Sequence, residues 1–345
     1  MSKHIKINKT CAFLLTDYFD RKYFSSIEVD EGYLVITDEK AYFTDARYTL
    51  EVDEKLVKSD IKSIGYKDLS QIKEYLVDKG VKTVYVNFEK TTVSFYNQLK
   101  KLGFKVRDGK DRIESQIAVK EKHEIDAIKK ACQITQNSFY KAIDSLKNGI
   151  TEREVKEIIE ENYIKQGALV SFETIVAFGE NSAVPHHKIG DRKLTDGDVV
   201  LIDMGCKYNG YASDLTRTVC YKTASREFID CYEKVLSANE KAISQIVCGM
   251  EYKDIDAISR NHLKEFGLDG YFTHSLGHGL GLEIHEYPRL SPKGKGKIKN
   301  NVVFTIEPGV YINGKFGIRI EDTVILKKGK VQRLFTDDKG LLIIK

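Results

Sequence analysis

The chain repeats itself at a spacing of about one hundred residues, and this repeat restricts its possible folds more than any other feature. Lys141-Ala142-Ile143 recurs as Lys241-Ala242-Ile243. Gly149 and Gly167 recur as Gly249 and Gly267, Ile158 as Ile258, and Val155 as Ile255. Each copy reads helix, glycine, helix, glycine. At a slightly larger offset, Val200-Leu201-Ile202-Asp203 matches Phe304-Thr305-Ile306-Glu307, so two strands each end in an acid. Asp214 then matches Glu321, and His186 corresponds roughly to His285. Two such halves packed about a pseudo-twofold axis set Asp203 and Asp214 against Glu307 and Glu321. Four carboxylates cannot all stay charged in one cleft without cations between them.

The first half shows how the acids are delivered. Residues 199–202 form a β-branched and aliphatic run, which predicts a buried strand ending on Asp203. Asn209-Gly210 is a two-residue hairpin signal, and the returning strand brings Asp214. Taken alone, this stretch also fits a surface hairpin with two solvated aspartates and Arg217 as a partner. The histidines weigh against that. His274, His278 and His285 fall among Gly277, Gly279 and Gly281, with Gly267 upstream. Glycines weaken a helix and let backbone approach a site closely, so His274 and His278 are not a helical zinc pair. One imidazole and four carboxylates can hold two metal ions bridged by acids. The set is oxygen-rich and lacks thiolate, which suits Mn²⁺, with Fe²⁺, Co²⁺ or Zn²⁺ as alternative occupants. In hydrolytic sites two such ions sit ~3.5–4 Å apart and share an activated water.

A length of 345 residues favours two domains. The N-terminal part reads as an α/β unit. A hairpin spans 33–37 and 41–44, helices are predicted over 69–77 and 93–102, and a strand over 81–88. This implies a mixed sheet covered by helices, with no cluster of catalytic residue types. The charged stretch 108–122 is the boundary. A long amphipathic helix follows, marked by Ile125, Ile128, Cys132, Phe139, Ile143 and Leu146. Thr151 and Glu154 form a capping box for the next helix. The net charge of +4 is close to balance and argues for neither nucleic acid nor an anionic membrane as partner. No stretch is long and apolar enough to span a bilayer, and the run 11–15 is too short for a signal peptide. The six cysteines contain no C-x-x-C pair, which agrees with a reducing cytoplasm.

The order Asp203, Asp214, His278, Glu307, Glu321 resembles the five-ligand signature of the M24, or pita-bread, metallopeptidases. That family includes methionine aminopeptidase, Xaa-Pro aminopeptidase and Xaa-Pro dipeptidase. The surrounding words are similar as well: Gly-Glu-Asn-Ser-Ala-Val-Pro-His at 179–186, Asp-Met-Gly at 203–205 and Ser-Asp-Leu-Thr-Arg-Thr at 213–218. Further on stand Gly-His-Gly-Leu-Gly at 277–281, Glu-Pro-Gly at 307–309 and Gly-Ile-Arg-Ile-Glu-Asp at 317–322. The likeness runs from about Glu121 to the end. Tyr-Phe-Thr-Asp-Ala-Arg-Tyr at 42–48 resembles the creatinase-type N-terminal domain of the proline-specific members. His274 and Arg319 are similar to their pattern too. One departure is Ile117, where the family often has an arginine.

The resemblance implies an α+β fold. Residues 1–118 form a creatinase-like α/β domain, and residues 119–345 a pita-bread catalytic domain with an internal pseudo-twofold. It implies two divalent ions, most readily Mn²⁺, held by Asp203, Asp214, His278, Glu307 and Glu321, which lower the pKa of a shared water. By resemblance Glu307 also shuttles the proton. His274 and His285 donate to the scissile carbonyl oxygen, His186 positions substrate, and Arg319 orients carboxylates. His187 reads as a surface residue. The activity implied is Xaa-Pro aminopeptidase acting on peptides with proline second, with Xaa-Pro dipeptidase (prolidase) as the alternative. A catalytically inactive binding protein is the non-enzyme reading. A homodimer paired through the N-terminal domain is implied as well.

Overall fold

A computed structural model describes Lys3 and residues 5–345. The chain divides into two units, Met1–Ile117 and Ala118–Lys345.

In the first unit, β1 (Cys11–Leu15) lies mid-sheet, antiparallel to β2 (Tyr33–Ile36). Helix α1 (Tyr18–Ser25) connects the two, and β2 pairs with β3 (Lys40–Thr44) as the predicted hairpin. From β3 the chain crosses over α2 (Thr49–Leu56) to the parallel β4 (Ile61–Gly65). It then runs through α3 (Leu69–Asp78) to β5 (Thr83–Val86), which is parallel to β1. Helix α4 (Val93–Lys101) leads to the parallel β6 (Lys105–Asp108), and α5 (Lys110–Ala118) ends the series. Parallel neighbours need such helical crossovers, which is why strands and helices alternate here. Ala12, Leu14, Val35, Phe43, Ile72, Leu76, Val84 and Leu99 form the core between sheet and helices. The run 11–15 is thus a buried strand of that sheet.

The second unit opens with the predicted long helix, α6 (Lys122–Ser145), capped reciprocally by Glu121 and Glu124. The expected Thr151–Glu154 box caps α7 (Glu152–Lys165). Short β7 (Leu169–Val170) and β8 (Ile175–Phe178) precede β9 (Val199–Met204). Next come β10 (Cys206–Tyr208), β11 (Tyr211–Ala212) and β12 (Leu215–Tyr221). Asn209 and Gly210 both take positive φ, 49° and 82°, as a two-residue turn between β10 and β11 demands. The second copy consists of α8 (Arg226–Gln245), α9 (Tyr252–Lys264) and β13 (Gly277–Gly279), followed by β14 (Glu286–Leu290) and β15 (Val303–Ile306). The hairpin β16 (Gly309–Ile312) and β17 (Phe316–Arg319) precedes β18 (Asp322–Lys327). β19 (Lys330–Arg333) and β20 (Ile343–Ile344) complete the unit. The sheets have the orders β20-β12-β9-β8 and β14-β13-β15-β18-β19.

The internal repeat is real in backbone geometry. The amide of Gly149 donates to Leu194 O and that of Gly249 to Ile298 O, each at 2.9 Å. Thr151 bridges to Lys193, and Glu251 to Lys297. α6-α7-β8-β9-β12 is therefore repeated as α8-α9-β13-β15-β18. Within the glycine-rich segment 273–285 the strand is confined to Gly277–Gly279, and the β13–β14 register shifts between His278 and Gly279.

Candidate metal centre

The two halves deliver their acids to the same place by the same means. Asp203 is the penultimate residue of β9, and Asp214 stands just before β12. Glu307 follows β15 and Glu321 precedes β18, one rung beyond the Ile306–Asp322 pair. Each half braces the acid of the other. Thr216, two residues after Asp214, donates to Glu321 Oε2 at 2.6 Å. Thr323, two residues after Glu321, donates to Asp214 O at 2.7 Å and accepts from Asp214 N at 3.2 Å.

His278 enters on β13, between β14 and β15. A Cβ on Gly277 would lie 2.1 Å from Thr305 O, and one on Gly279 would lie 2.3 Å from Tyr287 O. The glycines are there because the neighbouring backbones leave no room for side chains. Thr305 Oγ1 accepts from His278 N at 3.0 Å and donates to Glu307 Oε1 at 3.1 Å. The His278 ring bonds Gly279 O through Nδ1 at 3.1 Å, which puts the proton on Nδ1. Its Nε2 lone pair faces Asp214 Oδ2 at 3.5 Å and Glu307 Oε1 at 3.4 Å. Burial, reinforced by His285, pushes the His278 pKa down to about 3, so the ring is neutral.

An imidazole lone pair facing two carboxylates lacks a positive charge between them. The acids show the same deficit. Burial, then the charges of Glu321, Asp203 and Glu307, raises Asp214 well above the carboxylate range. Glu321 is raised by burial and by Glu307 and Asp203. Glu307 rises to about 8, chiefly through burial, with Arg319 acting against it. Asp203 Oδ1 and Asp214 Oδ1 are buried without a hydrogen-bond partner. Ligand atoms of Asp214, His278 and Glu321 all lie within 4.8 Å of one another. Orphaned oxygens, a tautomer-locked imidazole and mutually repelling acids fit divalent cations.

The remaining sequence-predicted residues surround these five. Arg319 is buried and donates from Nη2 to Asp203 Oδ2 at 2.6 Å, from Nε to Thr216 Oγ1 at 3.0 Å and from Nη1 to Tyr311 Oη at 2.6 Å. Tyr311 in turn donates to His274 Nε2 at 2.9 Å, while His274 Nδ1 donates to Ser275 O at 2.8 Å. Burial and then Arg319 lower the His274 pKa to about 3. In this arrangement both ring nitrogens of His274 are engaged, by Ser275 and by Tyr311. His285 is exposed and packs edge-on against His278, ring centroids 4.4 Å apart. His186 is exposed on the loop after the short turn Gly179–Ala183. Its neighbour Pro185 accepts from Arg319 Nη1 at 3.4 Å, and burial, then Arg289, lowers the His285 pKa.

Three features escaped the sequence reading. Thr216 and Thr323 occupy matched positions of the repeat and could have been found by extending its alignment past the acids. Tyr311 carries no local signal. His187, expected at the surface, is largely buried, with its Nε2 2.9 Å from the fully buried Glu152. The loop carrying His285 is held by a buried ion pair between Lys120 and Glu286.

Residues 126–328 match the model of metallopeptidase family M24, and residues 2–116 match the creatinase/prolidase N-terminal domain. The chain is 36% identical over 315 residues to a Pyrococcus furiosus protein named Xaa-Pro dipeptidase, covering 90% of this chain and 89% of that one. An X-Pro aminopeptidase structure from Thermotoga maritima is 33% identical with a TM-score of 0.87, covering 96% of this chain and 95% of that one. The prolidase structure from Pyrococcus furiosus is 34% identical with a TM-score of 0.87, covering 95% and 96%. The chain therefore belongs to metallopeptidase family M24, a pita-bread catalytic domain behind a creatinase-type N-terminal domain, and the family implies a dinuclear metal centre.

Proposed function

We propose that the protein is an Xaa-Pro dipeptidase (prolidase) that uses two divalent metal ions. One observation carries the reading. Ligand atoms of Asp214, His278 and Glu321 lie within 4.8 Å of one another in a chain that matches a protein named Xaa-Pro dipeptidase over nine-tenths of its length. This reverses the order reached from sequence, where the aminopeptidase came first. The aminopeptidase reading keeps the support of the similar Thermotoga maritima structure.

Asp203, Asp214, His278, Glu307 and Glu321 would hold the ions, and the oxygen-rich set favours Mn²⁺. When bound, the ions supply Lewis acidity and an activated water. Glu307, raised to about 8 by burial in the metal-free protein, is placed to carry a proton toward the departing proline nitrogen. His285 can donate to the carbonyl oxygen as it gains charge. His186 contacts the substrate. Arg319 keeps Asp203 oriented and, through Tyr311, fixes His274, which acts here by position.

The test is a panel of Xaa-Pro dipeptides and longer Xaa-Pro-Xaa peptides with Mn²⁺ added. Preference for dipeptides supports the proposal, and preference for the longer peptides supports the aminopeptidase. Cleavage of neither class refutes both and leaves the binding-protein alternative. A homodimer paired through the N-terminal unit belongs to the same reading, and light scattering showing only monomer at micromolar concentration would count against it. Six free cysteines agree with a cytoplasmic site, and no helix among the described residues could cross a membrane.

A further inference from the structure

Glu152 is fully buried at the first turn of α7 and is not one of the five ligands. A buried carboxylate is costly unless donors satisfy it. Four donors do so. Phe178 N and Asn181 Nδ2 reach Oε1 at 2.9 and 2.8 Å. His187 Nε2 and Gly190 N reach Oε2 at 2.9 and 3.1 Å. All four belong to the one stretch, 178–190, that carries His186. From the other side, β17 holds the same stretch. Gly317 N donates to Ser182 Oγ at 2.8 Å, and a Cβ on Gly317 would lie 1.9 Å from Ser182 O.

We infer that Glu152 and His187 are positioning residues for substrate recognition: the carboxylate gathers the loop so that His186 stands preformed beside His285 and Arg319. The inference rests on His186 as a substrate contact in the function proposed above. A loop ordered before binding spares the ligand the entropic cost of ordering it, so loosening the loop weakens affinity more than chemistry. His187 has a part in this only because it turns inward. Its ring closes the fourth bond to the carboxylate, next in sequence to the residue that meets substrate.

The test uses the full-length Mn²⁺-loaded protein with His187→Leu, His187→Gln and Glu152→Gln. His187→Leu should raise KM for an Xaa-Pro substrate about tenfold, the equivalent of one hydrogen bond to a charged group. kcat should change by no more than about twofold under the same argument, with metal content intact. His187→Gln can place an amide N–H near the Nε2 position and should recover most of the KM. Glu152→Gln sets an amide N–H against donors and should raise KM as well. In a His186→Ala background, His187→Leu should add little. Amide hydrogen exchange reads the loop independently of substrate and should quicken over 178–190 in the Leu variant, with the rest of the chain unchanged. Unaltered KM, a full effect without His186, or unaltered loop exchange overturns the inference. If the wild type cleaves no Xaa-Pro substrate, the functional reading fails and the recognition role falls with it. Normal wild-type turnover with an unmoved loop in the variants fails this inference alone.

Discussion

Arg217 provides the sharpest test of the packing behind the metal centre. It lies in β12 and is 3% exposed. Its Nε and Nη2 grip Asp337 at 2.6 and 3.0 Å, and Nη2 also reaches Asp322 Oδ1 at 2.8 Å. Nη1 donates to the backbone oxygens of Thr216 at 2.9 Å and Glu321 at 2.5 Å. One guanidinium thus joins β12, β18 and the segment around Asp337 directly behind a ligand. Arg217→Met keeps the side-chain stem and removes the charge. Among the described residues, the two buried carboxylates then retain Arg333, at 3.0 Å from Asp322 and 2.9 Å from Asp337, and Lys339 at 3.5 Å from Asp322. Removing one partner of a buried pair costs about 3–5 kcal/mol, and the remaining cations place this site near about 3. For a domain of this size that lowers Tm by about 6–12 °C. The chain has no tryptophan, so urea and thermal unfolding are followed by far-UV circular dichroism. The pH dependence has a definite sign. Burial pushes Asp322 up, but Arg217, Arg333 and Lys339 outweigh it and hold its pKa below the ordinary value. That contribution is full above the unfolded pKa and is lost as pH falls through the folded one. Without Arg217 the acid takes up a proton more readily, so the gap between variant and wild type should narrow from pH 7 toward about pH 5. Adding Asp322→Asn and Asp337→Asn should recover much of the loss. A cost under about 1 kcal/mol, or a gap that widens on acidification, would refute the reasoning.

Chelation should abolish activity and Mn²⁺ restore it; full turnover by rigorously metal-free protein contradicts the dinuclear reading. Asp214, Glu307 and Glu321 are held above the ordinary carboxylate range without metal, so loading at pH 7 should release protons, measured calorimetrically in buffers of different ionisation enthalpy. For the same reason the metal-free protein should lose stability as pH rises from 4.5 to about 8 at Glu307, since its folded pKa exceeds the unfolded one. His278→Ala should lose metal, whereas His285→Ala should keep it and slow kcat by roughly 10²–10³, as for loss of one oxyanion donor; the inverse pattern would exchange the two assignments. Gly277→Ala forces a Cβ to 2.1 Å from Thr305 O and should weaken metal binding by displacing His278, while Gly270→Ala, which meets nothing within 4 Å, serves as the control.

Much of this molecule is legible in short windows of sequence. The Asn209-Gly210 turn, the Thr151–Glu154 box and the apolar stripe of α6 depend on φ preferences and on spacings of a few residues. The acids at the strand ends and their pairing across the two halves followed from the repeat, because a duplicated fold returns like residues to like positions. What stayed hidden depends on residues brought together from far apart. His187 meets Glu152 across 35 positions, so nothing beside it in the chain marks it as buried. Arg319 finds Asp203 across 116 positions, and Tyr311 becomes part of the site only because it sits between Arg319 and His274. The two ring nitrogens of His274 are engaged by Ser275 and Tyr311 through the same packing. Local sequence sets backbone preference and which residue types are available. Which polar atoms satisfy one another is decided when the two halves close, since each buried donor must take an acceptor that only the packed structure supplies.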